Sequence, residues 1–183
     1  MFSIRPPRTA ADWLQTRAVL LDSIEWMRAA LGIDLSVEQP SVVAELADLP
    51  GAYDDVGATM LTAVAGPEEL VIGTVGVRCH ADRTAELKRM YVRAVARRQG
   101  VGEALLAAAV EFARERGAHT MWLETARGPM DPAIALYARN GFSEIGARPG
   151  ELRIDGLVVM ERRLVPVSAG SPCSAAGRRE PVC

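Results

Sequence analysis

The passage VARRQGVGEALLAAAVEFARERGAH, residues 95–119, sets two arginines, a glutamine and two glycines directly before a long alanine- and leucine-rich run. Glycine inside a helix costs about 1 kcal/mol relative to alanine. Two glycines at a helix entrance therefore mark a place where the backbone turns or approaches something closely. The first N–H groups of a helix also lack intrahelical partners, and together with the helix dipole they favour an anion. The chain must fold so that this helix start opens at the end of a preceding strand. The spacing is not G-x-G-x-x-G, and no Gly-Lys-Ser/Thr follows, so neither a dinucleotide fingerprint nor a Walker A loop describes it.

The elements around this passage follow from periodicity. FSIRP reads as a short strand. Trp13, Ala18, Leu21, Ile24 and Met27 fall at helical spacing up to Gly32. A second helix runs from Ser41 as N-cap to Pro50-Gly51, with Glu45 in its early turns. ATMLTAVA and ELVIGTVGVRC, joined at Gly66-Pro67, form a hairpin. In TAELKRMYVR, Leu87 has one parity while Met90 and Val92 share the other, and such a slip predicts a β-bulge, although Tyr91 fits the first parity. The helix over 99–116 buries Val101, Leu105, Ala109 and Phe112 and closes on Gly117. HTMWLETA is a strand, and DPAIALYAR is a short helix with Asp131 as N-cap and Asn140-Gly141 at its end. FSEIGA and LVVMERRL complete the strands.

With 183 residues the chain fits one domain able to bury its own core. Residues 1–165 carry the pattern, and 166–183, small, polar and proline-bearing, read as a disordered tail. An apolar fraction of 49% with a net charge of -2 excludes a disordered chain and gives no electrostatic footprint for nucleic acid. No apolar run approaches the ~18 residues a membrane span needs, and MFSIRPPRTAAD lacks the apolar core of a signal peptide. Three cysteines, Cys79, Cys173 and Cys183, make no disulfide framework, so a cytoplasmic location is expected. Cys79, His80 and His119 have no metal-ligand spacing, and no metal is expected.

Three passages in order, ELKRMYV, RRQGVG and AIALYARNGF, resemble the GCN5-related N-acetyltransferase (GNAT) superfamily. Arg97, Gly100 and Gly102 match its pyrophosphate signature, and AELADLPGAY is similar to the second-helix region of one bacterial group. The resemblance covers residues 2–164. It implies an α/β GNAT fold: a mixed, mostly antiparallel sheet, splayed at its fourth and fifth strands, with helices on both faces. It implies acetyl-CoA as cosubstrate and an amine acceptor, as small molecule or peptide, attacking the thioester directly in a ternary complex.

The resemblance also distributes roles. The diphosphate of coenzyme A would sit on Arg97, Arg98, Gln99, Gly100, Val101, Gly102 and Glu103, and the pantetheine arm would lie along the main chain of Met90, Tyr91 and Val92. Tyr137 corresponds to the family's general acid and Glu86 to a glutamate used as base, with Glu124 a weaker candidate. Many members carry Asn where this chain has Met130, so the resemblance does not carry that cofactor contact over. Residues 12–55 hold nine acids against Arg17 and Arg28, which under the family's arrangement predicts a negative rim and a cationic acceptor. Other readings are transfer from a longer acyl-CoA and a catalytically silent coenzyme-binding module. Monomer and homodimer are both compatible with the sequence.

Overall fold

The computed structural model describes residues 1–32, 40–146 and 156–165. In chain order they form β1 (Phe2–Arg5), α1 (Ala10–Leu31), α2 (Pro40–Ala47), α3 (Leu49–Ala52), β2 (Ala58–Ala65), β3 (Leu70–Cys79), β4 (Thr84–Val92), α4 (Val101–Glu115), β5 (Thr120–Ala126), α5 (Asp131–Arg139), β6 (Ser143–Ile145) and β7 (Leu157–Arg163). A 3-10 turn at Ala94–Ala96 links β4 to α4. The tail 166–183, and with it the expectation of disorder, lies outside the described residues.

Among the described residues the strands make one seven-stranded sheet, in the order β1-β2-β3-β4-β5-β7-β6. Every pairing is antiparallel except β4 with β5, which is parallel and joins only Thr84, Ala85 and Glu86 to Thr120, Met121 and Trp122. Beyond those three pairs the two strands part. Helices cover both faces, as the mixed α/β reading requires. On one, α4 and α5 pack Leu105, Ala109 and Tyr137 onto Leu61, Val75, Ala85 and Leu87. On the other, Leu20 of α1 meets Leu49, Tyr53 and Met60, while Val19 meets Val64 and Val71.

The parity slip in β4 is a bulge. Thr74 pairs with Tyr91 but Gly76 pairs with Lys88, so one extra residue enters β4 between them. Arg89 adopts φ +55°, a left-handed conformation that a non-glycine residue rarely takes. The extra residue returns Met90 and Val92 to the α4 face already occupied by Ala85 and Leu87. Tyr91 turns to the α1 face, against the Val19 cluster.

Several local readings are corrected. In α1 Leu21 is exposed, and the face set on the sheet carries Thr16, Val19, Leu20 and Ser23. The polar members fit because Thr16 Oγ1 donates to the Asp12 carbonyl at 2.7 Å and Ser23 Oγ to the Leu20 carbonyl at 2.7 Å. Ser41 lies inside α2, not at its cap. Pro50-Gly51 does not end the helical region, because Asp48 caps the further turn α3 by accepting from the Gly51 N–H at 3.0 Å. Asp131 is the first residue of α5, and its carboxylate accepts instead from the Gly128 N–H at 2.9 Å. Phe112 is only half-buried, with the Arg116 guanidinium 3.5 Å from its ring centroid.

The start of α1 supplies a stability test. Thr9 and Asp12 form a capping box, and Asp12 also accepts from Arg5 at 2.8 and 3.1 Å and from the Arg8 N–H at 2.8 Å. The Arg5 hydrogen bonds, outweighing burial, hold the Asp12 carboxyl well below the usual carboxylate range. Asp12→Asn is expected to cost about 2 kcal/mol near neutral pH, from a lost charge-assisted fork and cap. A depressed folded pKa stabilises above the unfolded pKa and the gain fades as pH falls. The stability gap between the two proteins in denaturant unfolding should therefore begin to narrow below about pH 4 and keep narrowing down to the lowest pH at which the fold survives.

Candidate active site

Where β4 and β5 separate, a cleft of about 370 Å³ opens. Glu86, Lys88, Met90 and Tyr91 line it from β4, Glu124 and Thr125 from β5, Met130 and Tyr137 from around α5, and Ile24, Trp26, Ser41 and Leu46 from α1 and α2. The structure thus brings Tyr137, Glu86, Met90, Tyr91 and Glu124 to one cleft. Val92 and 97–103 stand outside its lining.

Tyr137 is 6% exposed, and its hydroxyl donates to Met90 Sδ at 3.5 Å. Burial pushes its phenol up, so the ring stays protonated and able to donate. The Phe142 ring, tilted at 58° with centroids 5.8 Å apart, packs against it. The bulge delivers the partner sulfur: without the extra residue Met90 would share the face of Glu86 and Lys88. Glu86 lies on that opposite, α1-side face of β4, 3.5 Å from Lys88 Nζ.

The glycine-rich turn enters α4 with Arg98 at φ +61° and Gly100 at φ +79°. The first α4 hydrogen bond runs from the Ala104 N–H to the Gly100 carbonyl at 3.0 Å, leaving the Val101, Gly102 and Glu103 N–H groups pointing out of the first turn. A Cβ on Gly102 would stand 3.3 Å from Leu136 Cδ2 and 3.7 Å from Met90 Cε, so glycine there lets α4, α5 and the bulge converge. The side chains fold elsewhere. Arg97 Nε donates to the Val92 carbonyl at 2.9 Å, with its guanidinium between the Trp26 and Tyr91 rings. Gln99 Nε2 donates to the Val95 carbonyl at 2.9 Å, and Glu103 pairs with Arg139 at 3.6 Å. An anion at this turn would meet main-chain N–H groups first.

Sequence reasoning missed Glu45 as a site residue. Its carboxylate accepts from Arg89 Nε at 3.0 Å and Nη2 at 2.9 Å, and from the Tyr53 hydroxyl at 2.7 Å, with Lys88 Nζ at 3.7 Å. Burial raises the Glu45 pKa, but the Arg89 fork, Tyr53 and Lys88 outweigh it and hold the group below its ordinary value. The parity slip was the one available signal, since it locates Arg89 as the bulged residue.

Among the described residues the acids of 12–55 do not gather into a rim. Asp12 pairs with Arg5, Asp22 with Arg93, Glu25 with Arg28 and Glu45 with Arg89. Asp48 and Asp55 accept from the main-chain N–H groups of Gly51 and Gly57. Asp34 and Glu38 lie outside the described residues. Among the described residues the charged side chains lining the cleft are Glu86, Glu124, Lys88 and Arg89.

Residues 22–142 match the acetyltransferase (GNAT) family. Among curated proteins, the chain is 32% identical over 132 residues to aminoglycoside N(6')-acetyltransferase type 1 of Klebsiella aerogenes, covering 68% of this chain and 85% of that one. It is 36% identical over 88 residues to N-acetyltransferase 8 of Homo sapiens, covering 45% of this chain and 38% of the human protein. The crystal structure of a GNAT-family acetyltransferase from Staphylococcus aureus Mu50 superposes with a TM-score of 0.73 at 21% identity, over 90% of this chain and 100% of that one. No helix among the described residues is long and apolar enough to cross a membrane.

Proposed function

The chain belongs to the acetyltransferase (GNAT) family, and from that premise we propose that it moves the acetyl group of acetyl-CoA to a primary amine within one cleft. The observation that carries this reading is the parting of β4 from β5 after Glu86 and Trp122, which opens the cleft that Tyr137 lines.

The residues fit the cosubstrate. Open N–H groups at the start of α4 and the small Gly100 and Gly102 suit a diphosphate. On its β5 side the upper half of β4, from Leu87 to Val92, pairs with no described strand, and that edge offers its main chain to the pantetheine arm. The amine nitrogen attacks the thioester carbonyl, the C–S bond breaks, and the Tyr137 hydroxyl gives its proton to the departing sulfur. Glu86 takes the proton released from the amine, directly or through water. Domain limits of 1–165, a cytoplasmic location, and a monomer or homodimer remain part of this proposal.

Glu86→Gln tests the base. Its rate relative to the parent protein is expected to be lowest at low pH, where most of the amine is protonated and needs a base, and to recover as pH rises. A ratio that stays constant with pH would leave Glu86 a positioning role only.

The acceptor is proposed to be a cationic amine. Support comes from the curated relative that bears an aminoglycoside's name and from Glu86 and Glu124 at a cleft whose two described cations, Lys88 and Arg89, both pair with Glu45. For a polyamine or aminoglycoside and a neutral amine of similar size, kcat/KM should be compared as salt rises. The cation is expected to lose its advantage over a Debye-length change from about 30 to 8 Å. Equal salt dependence for both would remove the charge-based reading of the acceptor.

A further inference from the structure

Arg89 is held in its left-handed conformation from several sides. Its carbonyl accepts from Thr74 Oγ1 at 3.0 Å, and its guanidinium forks onto both oxygens of Glu45. Glu45 is fixed in turn by Tyr53, whose hydroxyl has room only because position 76 is glycine: a Cβ there would lie 2.6 Å from that oxygen. A strained residue persists where its surroundings over-determine it. Here α2, Tyr53 and β3 converge on one bulged residue of β4.

The next residue after the bulge is Met90, whose sulfur receives the Tyr137 hydroxyl. If the extra residue were lost, Met90 and Tyr91 would exchange faces and the phenol would lose that partner. Glu45 stands on α2, whose Ser41, Val42 and Leu46 line the opposite wall of the cleft. Its pairing with Arg89 is half-buried and bidentate, which fixes geometry more firmly than a single exposed ion pair.

We propose that Glu45 is a positioning residue for the Tyr137 phenol, acting through Arg89 and the β4 bulge, so that the helix walling the acceptor side also sets the proton donor. This inference rests on reading Tyr137 as the donor to the coenzyme sulfur. Glu45 touches no reacting atom and is not itself catalytic.

The test uses the full chain with carbon-13 at the hydroxyl-bearing ring carbon of tyrosine. Tyr53, Tyr91 and Tyr137 give three signals, assigned with Tyr137→Phe. Coenzyme A and desulfo-coenzyme A, which lacks the sulfur, are the probes. In the parent protein the Tyr137 signal should move further with coenzyme A than with the desulfo compound. In Glu45→Gln and Arg89→Gln that difference should fall by half or more while the Kd for coenzyme A changes less than about threefold. Arg89→Gln removes the fork but leaves Glu45 its Tyr53 partner, so it remains informative if Glu45→Gln folds poorly. A full difference retained in the folded variant or variants overturns the positioning role alone. No difference between the two compounds in the parent protein overturns the donor reading, and the inference with it.

Discussion

Tyr137→Phe is expected to lower kcat by about 10- to 100-fold, equivalent to about 1.4 to 2.7 kcal/mol of transition-state stabilisation, with the affinity for acetyl-CoA nearly unchanged. The reasoning begins with burial. The ring sits between α5 and the β4 bulge, packed on Phe142, and the change removes one oxygen without altering that packing. Among the described residues the lost hydroxyl's only partner is the weak sulfur acceptor of Met90, so little ground-state stability goes with it. Its contribution grows as negative charge develops on the departing sulfur, and such an interaction shows in kcat more than in KM. Steady-state thiol release with a Kd measured separately checks both halves. Parent-level turnover in the variant would end the general-acid role.

Gly100→Asp is expected to weaken coenzyme A binding by on the order of 100-fold and to abolish the rise in Tm that acetyl-CoA produces. Gly100 has φ +79°, and nothing lies within 4 Å of a Cβ placed there, so the new side chain meets no protein clash. Aspartate tolerates left-handed geometry better than most residues, which favours retention of the fold. The substitution places a carboxylate beside the open N–H groups of α4, where it competes with a diphosphate both electrostatically and as an internal cap. Thermal unfolding with and without acetyl-CoA measures this. A parent-sized shift in a folded Gly100→Asp protein would move the diphosphate elsewhere.

The sequence made legible whatever is recorded locally. The glycine turn before α4, the Gly66 hairpin and the helix over 131–139 each carry their own turn and periodicity signals, and all are present in the structure. The bulge in β4 was legible because parity is a property of adjacent residues, even though Tyr91 obscured it by facing the other layer. The face of α1 was not, because Thr16 and Ser23 bury themselves by bonding to their own helix carbonyls, and periodicity of apolar residues cannot register that. Glu45 escaped for a different reason. Its partners Tyr53 and Arg89 lie 8 and 44 residues away, and only the folded sheet brings them together. The same distance misled the charge reading: acids counted together in 12–55 separate in space, four of the seven described ones toward individual arginines. Membership in the GNAT family, by contrast, was written in three short passages along β4, the glycine turn and α5, within the span that the family matches.

The most direct test of the account is a product balance. Acetyl-CoA is incubated with the protein and a panel containing a polyamine, an aminoglycoside, a basic peptide and neutral amines of similar size, and free thiol and acetylated amine are both quantified. The account predicts one acetamide formed per thiol released, with cationic amines ahead of neutral ones and Gly100→Asp inactive at the same acetyl-CoA concentration. Thiol release with no acetylated amine, or no turnover with any member of the panel, would contradict it.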